Sequence, residues 1–210
     1  MERPTANLEA IAQRIRADFS EKDAAREKAL RRCREAIRYS ANAIRAVHRG
    51  EFEHASSSLD SAYEQLQEAK EALAQPKEPL VHVGFVHDSQ KEYAEGRITM
   101  ALALNQRLPE PEELGVGYAA YLHGLAEAAG EMRRFLLDTI RKGDLERCEA
   151  VLSVMDDIYS ILVTMDFPDA LTFGLRRATD VTRGILEKTR GDLTLTIRQR
   201  DLEQKLERLL

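Results

Sequence analysis

The stretch TANLEAIAQRIRADFSEKDAAREKALRRCREAIRYSANAIRAVHR, residues 5–49, decides the fold class. It contains neither Gly nor Pro. Its apolar residues recur at Leu8, Ile11, Ile15 and Phe19, then at Leu30, Cys33, Ile37, Ala41 and Ile44. Spacings of three and four put them on one face of a long α-helix, and Gly50 is placed to stop it. The rest of the chain repeats the pattern. Helices are expected over about 51–74, 86–108, 112–141, 144–165, 169–189 and 192–210. Pro76 and Pro79, Pro109 and Pro111, Gly143-Asp144, Phe167-Pro168 and Gly191 separate them. Only 80–86 hints at a strand. The expected fold is a single all-α domain over 1–210, a bundle of about seven helices with short loops.

Composition agrees and excludes other classes. With 210 residues, 43% hydrophobic and 32% charged, the chain can bury a core of its own and is not disordered. No apolar run approaches the ~20 residues that a membrane crossing needs, and MERPTANLEA lacks the apolar segment of a secretory signal. Cys33 and Cys148 stand far apart with no CxxC, which suits reduced thiols in a cytoplasmic protein. Net charge is -5, which argues against a uniformly basic nucleic-acid coat. It hides an asymmetry, however. Residues 26–49 carry eight Lys or Arg against two Glu, or +6, and 51–72 carry six acids against Lys70, or -5. A local basic stripe can hold phosphates, although a solvated helix face would look the same.

Most catalytic templates are absent. There is no GxxxxGK, GxSxG or HExxH, and Gly115-Val-Gly117 alone means little. The five histidines form no i, i+4 pair, and none of Glu92, Glu95, Glu127 and Glu131 is followed three residues later by the His that a di-iron bundle wants. Four carboxylates stand out instead: Glu92 and Glu95 at i, i+3, and Glu127 and Glu131 at i, i+4. Each pair projects from one face of its helix. On helical wheels Glu127 and Glu131 fall opposite a stripe of Tyr118, Leu122, Leu125, Met132, Leu136 and Ile140, beside Ala120 and Gly124. Glu92, Glu95 and Thr99 likewise lie away from Tyr93, Met100 and Leu104. Hard oxygen donors on a concave, small-residue surface suit Mg²⁺ or Mn²⁺. Most such Glu pairs in an acidic helical protein are merely solvated. Asp156-Asp157 has no partner helix and reads as surface.

Two segments carry a family resemblance. Glu92-Tyr93-Ala94-Glu95 resembles the Glu-Tyr-Val-Glu of Trax, and YLHGLAEAAGEM (121–132) is similar to a Tyr-Leu-Leu-Gly-Val-Ala-Asp-Leu-Thr-Gly-Glu-Leu helix of the translin/Trax family. Gly143-Asp144 and Leu175-Arg176-Arg177 extend the likeness, which runs from about residue 26 to the end. The resemblance implies a seven-helix protein that assembles into a hollow homo-oligomer, an octamer in that family. It also implies binding of single-stranded RNA and possibly DNA. A Trax-like chain is expected to be a Mg²⁺-dependent endoribonuclease whose metal and catalytic acids fall on Glu92, Glu95, Glu127 and Glu131. Glu127 departs from the family's Asp by one methylene. The carboxylates, opposite the core stripe, would face the lumen of such a shell. For nucleic acid the resemblance points to His82 and His87 ahead of the acidic helix. The basic stripe adds Arg31, Arg32, Arg34 and Arg38 as bidentate phosphate donors. Tyr39 could stack a base but lies near the apolar stripe. The alternatives are a translin-like binder without turnover and an all-α MazG-type nucleotide pyrophosphohydrolase. Against the latter stand the 31 residues between the pairs and the Glu-x-x-x-Glu spacing.

Overall fold

A computed structural model describes residues 3–76, 78, 80 and 84–208. Eight helices occur among them: α1 (Leu8–Arg49), α2 (Phe52–Ala74), α3 (Gly84–Ala103), α4 (Pro111–Leu114), α5 (Tyr118–Arg141), α6 (Leu145–Val163), α7 (Asp169–Thr172) and α8 (Leu175–Glu207). No strand is present among the described residues, and α3 begins inside the segment that hinted at one. No described helix is long and apolar enough to cross a membrane.

The α1–α2 hairpin turns on Gly50, whose φ of +76° is a left-handed conformation that costs glycine little. Its N–H closes onto the carbonyls of Ala46 and Val47. The hairpin lays the acidic stretch against the basic one, and Arg32 Nε lies 2.8 Å from Glu68 Oε2. Part of the charge asymmetry is therefore internal neutralisation. The buried face of α1 consists of Ala25, Ala29, Cys33, Ala36, Ser40, Ala43, Ile44, Ala46 and Val47, a small-residue seam that lets α2 and α3 pack close. Leu8, Ile15 and Phe19, expected on the core stripe, are exposed. α3 packs on α1, α2 and α5, while α5 packs on α6 and α8. The α3–α5 crossing thus joins an N-terminal and a C-terminal half, and the main core cluster runs through it from Ala36 to Leu175. Both cysteines are free and buried.

Three expected boundaries are corrected. The helix expected over 112–141 is two, because Gly115 at φ +64° and the extended Gly117 break it. The helix expected to reach 108 stops at Ala103: Asn105 is left-handed at φ +53°, and Arg147 donates to the Ala103 carbonyl at 3.0 Å. The two last expected helices are one, α8, which runs straight through Gly191. A single internal glycine costs roughly 1 kcal/mol against Ala, less than the burial of Leu186, Thr189 and Leu193 along the same face returns. The true break lies earlier, at Phe173 and Gly174, both left-handed. The threonines of α8 fit a helix because Thr179, Thr182, Thr189, Thr194 and Thr196 each bond the carbonyl four residues back.

Candidate functional site

Gly124 of α5 rests on α3. A Cβ there would sit 2.8 Å from Ala94 Cβ and 2.9 Å from the Glu95 nitrogen. Only hydrogen fits, so the two helix axes approach closely. Gly124, expected to help line a concavity, is instead this contact with Ala94, and Ala120, expected beside it, is buried. The crossing brings the two acidic helices together. Carboxylate oxygens of Glu92, Glu95 and Glu127 all lie within 4.8 Å of one another.

Glu95 was expected on a polar face, yet it is only 7% exposed, because α5 covers it. Burial first, then the charges of Glu127 and Glu92, push its carboxyl up to about 9. Lys91 answers the remaining charge. Its Nζ donates to Glu127 Oε1 at 2.7 Å and lies 3.2 Å from Glu92 Oε1. Burial pulls this ammonium down, but the bond to Glu127 and the charges of Glu127 and Glu92 outweigh it and hold it above the usual lysine range. Glu131 stands apart from the trio. Its Oε2 is hydrogen-bonded to Nε2 of the buried His48 on α1, whose Nδ1 has no partner among the described residues. The geometry thus gathers three of the four expected acids and tethers the fourth. Glu95, Glu127 and Glu131 nevertheless border one groove of about 940 Å³, which Phe173, Arg176 and Arg177 also line together with Asp169 and Asp180.

The donor set fits a hard dication. Three carboxylates at this separation supply oxygen ligands, and Glu95 is a buried acid whose charged form lacks compensation without one. Glu92, Glu95 and Glu127 could hold Mg²⁺ or Mn²⁺, with Lys91 displaced from between them.

The expected phosphate contacts lie elsewhere. None of Arg31, Arg32, Arg34 and Arg38 borders the acidic groove. Arg31 and Arg34 are exposed and have no ion-pair partner among the described residues. Arg32 is held by Glu68 and Gln65. Arg38 pairs with Glu35 and lies 5.2 Å over the Tyr39 ring. Tyr39 packs against the core, and Asp156 is engaged by Arg190 at 3.0 Å. His82 falls outside the described residues. The His87 ring stacks on Phe173 with centroids 4.3 Å apart and meets His123 edge-on at 5.4 Å. Burial, then the neighbouring His123, keep His87 below the usual histidine range. The sequence reading missed His48, Lys91 and Phe173. His48 and Lys91 meet their partners 83 and 36 residues away, so no local spacing marks them.

Fold and groove together define an all-α protein with convergent acids at a helix crossing and two exposed arginines on the same groove. No family model matches the chain. An uncharacterized protein of Methanocaldococcus jannaschii is 29% identical over 193 residues, covering 91% of this chain and 85% of that protein. The structure of AfC3PO in complex with duplex RNA superposes with a TM-score of 0.81 at 32% identity, covering 90% of this chain and 97% of that one. AfC3PO alone gives 0.80 at 31% identity, covering 90% and 98%. Apo-NeC3PO shares the fold, with a TM-score of 0.72 at 20% identity over 93% and 99% of the two chains. The chain belongs to the translin/Trax family, as a C3PO-type member.

Proposed function

We propose that the protein binds RNA and cleaves single-stranded RNA as a Mg²⁺-dependent endoribonuclease, with Mn²⁺ as the alternative ion. The convergence of Glu92, Glu95 and Glu127 beside a groove carries the hydrolytic part. The likeness to AfC3PO, solved with duplex RNA, supports the RNA part. Bound at the trio, the ion would acidify a water and offset charge building on the phosphodiester. The chain's own residues prepare for this. Glu95 keeps its proton until a dication's charge is supplied. Lys91 holds Glu127 and Glu92 in place meanwhile, and His48 fixes the rotamer of Glu131 at the groove edge. Arg31 and Arg34 remain free to collect phosphates on the outer face of α1.

Labelled single-stranded and duplex RNA, incubated with Mg²⁺ and with EDTA, test the reading. Cleavage is expected in Mg²⁺, not in EDTA and not by Glu95→Gln, while binding persists in all three. Cleavage that survives EDTA or Glu95→Gln refutes a metal role for the trio. A second reading, a translin-like RNA or DNA binder without turnover, is favoured by Lys91, whose ammonium already bonds two of the three carboxylates. Binding without cleavage in either metal would select it.

A further inference from the structure

We propose that Phe173 is a base-stacking platform: an unpaired base lies on its free face while the adjoining phosphates lie against Arg176 and Arg177. The inference rests on the RNA-binding reading above and specifies how the strand is held beside the acids. Phe173 has φ +53° and ψ +38°, a left-handed conformation that a bulky residue rarely takes and that glycine would adopt without strain. Strain of this kind persists where the side chain is wanted for something else. Burial is not the reason, because Phe173 is 56% exposed. One face of its ring is covered by His87 at 4.3 Å and 17°. His87 is braced edge-on by His123, whose Nε2–H donates to the Thr172 carbonyl at 2.9 Å. The outer face is thus a fixed, solvent-facing aromatic surface bordering the groove that also holds Glu95 and Glu127.

Arg176 and Arg177 sit on the first turn of α8, where the helix dipole adds to their charge. Both are exposed on the same groove, which Asp169 and Asp180 also line, and neither arginine has an ion-pair partner among the described residues. Aromatic stacking beside arginines is how single strands are held without sequence preference, since every base offers a π-face. A duplex keeps its bases stacked on one another and cannot use the platform.

The chain has no tryptophan, so Phe173→Trp installs a single indole reporter. In EDTA, to prevent cleavage, this variant is titrated with a short single-stranded RNA, with an abasic ribose-phosphate strand of equal length, and with the duplex. The single strand should quench indole emission; the other two should bind with little quenching. Phe173→Gly relieves the strained backbone, so it should melt no lower than the parent. It should bind single-stranded RNA roughly tenfold more weakly and the abasic strand unchanged. Phe173→Leu, which keeps bulk without a π-face, should lose most of the same affinity. Arg176→Ala with Arg177→Ala should weaken both strands and flatten the salt dependence by roughly 0.7 log unit per lost contact. An indole that stays silent while RNA binds, or a Phe173→Gly variant that binds RNA as the parent does, overturns the platform alone. A parent protein that binds no RNA overturns the platform and the RNA-binding reading together.

Discussion

Glu95 is the residue on which site and stability meet. Its carboxyl lies near 9 in the folded protein, against 4.5 for the free group. The folded state therefore keeps a proton that the unfolded chain releases, and stability falls as pH rises through that window. In EDTA the parent should melt at progressively lower temperature from about pH 5 to 9. Glu95→Gln, which is neutral throughout, should flatten that fall and exceed the parent at pH 8 by at least ~1 kcal/mol, the free energy of about one pKa unit. Added Mg²⁺ should raise the melting temperature of the parent at pH 8 and leave Glu95→Gln unmoved. A flat metal-free profile in the parent would remove the basis for this assignment. The i, i+3 and i, i+4 spacing picked out Glu92, Glu95 and Glu127, which the fold brings together, but the burial of Glu95 was not legible there. A helical wheel orients a residue about its own helix and says nothing of the second helix laid over it. The placements of Lys91 and His48 were hidden for the same reason, since only tertiary contact brings them to Glu127 and Glu131.

At the scale of elements, local rules located nearly every helix, because apolar spacing and Pro or Gly punctuation act within a few residues. They erred where punctuation competes with packing. Gly191 reads as a stop, yet it lies within α8, where an added Cβ meets nothing within 4 Å. Gly191→Ala should accordingly raise stability by roughly 0.5–1 kcal/mol in urea titration. Gly124 sits equally deep in a helix and behaves oppositely. Its missing Cβ is the space that Ala94 and the Glu95 backbone fill. Gly124→Ala should destabilise by roughly 1–3 kcal/mol, and it should depress Mg²⁺-dependent cleavage beyond what lost stability explains, because α3 is pushed away and the carboxylate trio spreads. If Gly124→Ala tolerates urea and cleaves as the parent does, the close crossing is not what sets the spacing of the acids. Two glycines of similar appearance in the sequence thus differ only in what the fold puts beside them.

For the whole molecule, helix lengths set the argument. At ~1.5 Å per residue, α1 is about 63 Å long and α2 about 35 Å. Arg32 meets Glu68 and Lys22 meets Glu78 near the far end of the hairpin, so the first turns of α1 extend past α2. Leu8, Ile15 and Phe19 project from that overhang, Phe19 at 64% exposure. α8 repeats the situation. Leu195, Leu202 and Leu206 are exposed along its last turns, beyond the arginine pair that begins it. An amphipathic helix gains little from its own hydrogen bonds in water and depends on burying its apolar face. Two such faces at opposite ends of one chain are what a closed assembly of copies would cover. The α1 stripe was plain in the sequence, whereas the last helix read only as charged; neither reading could say that one chain leaves such faces uncovered, because that depends on the relative lengths of paired helices. Light scattering at micromolar concentration should therefore give a particle several times the 23.8 kDa chain mass. Leu8→Glu with Phe19→Glu should shrink it while leaving most of the far-ultraviolet helical signal, since neither residue belongs to the chain's own core. A parent that scatters as a monomer would mean that the overhangs are not an interface between copies, and that the acidic groove opens directly to solvent rather than toward a neighbouring subunit.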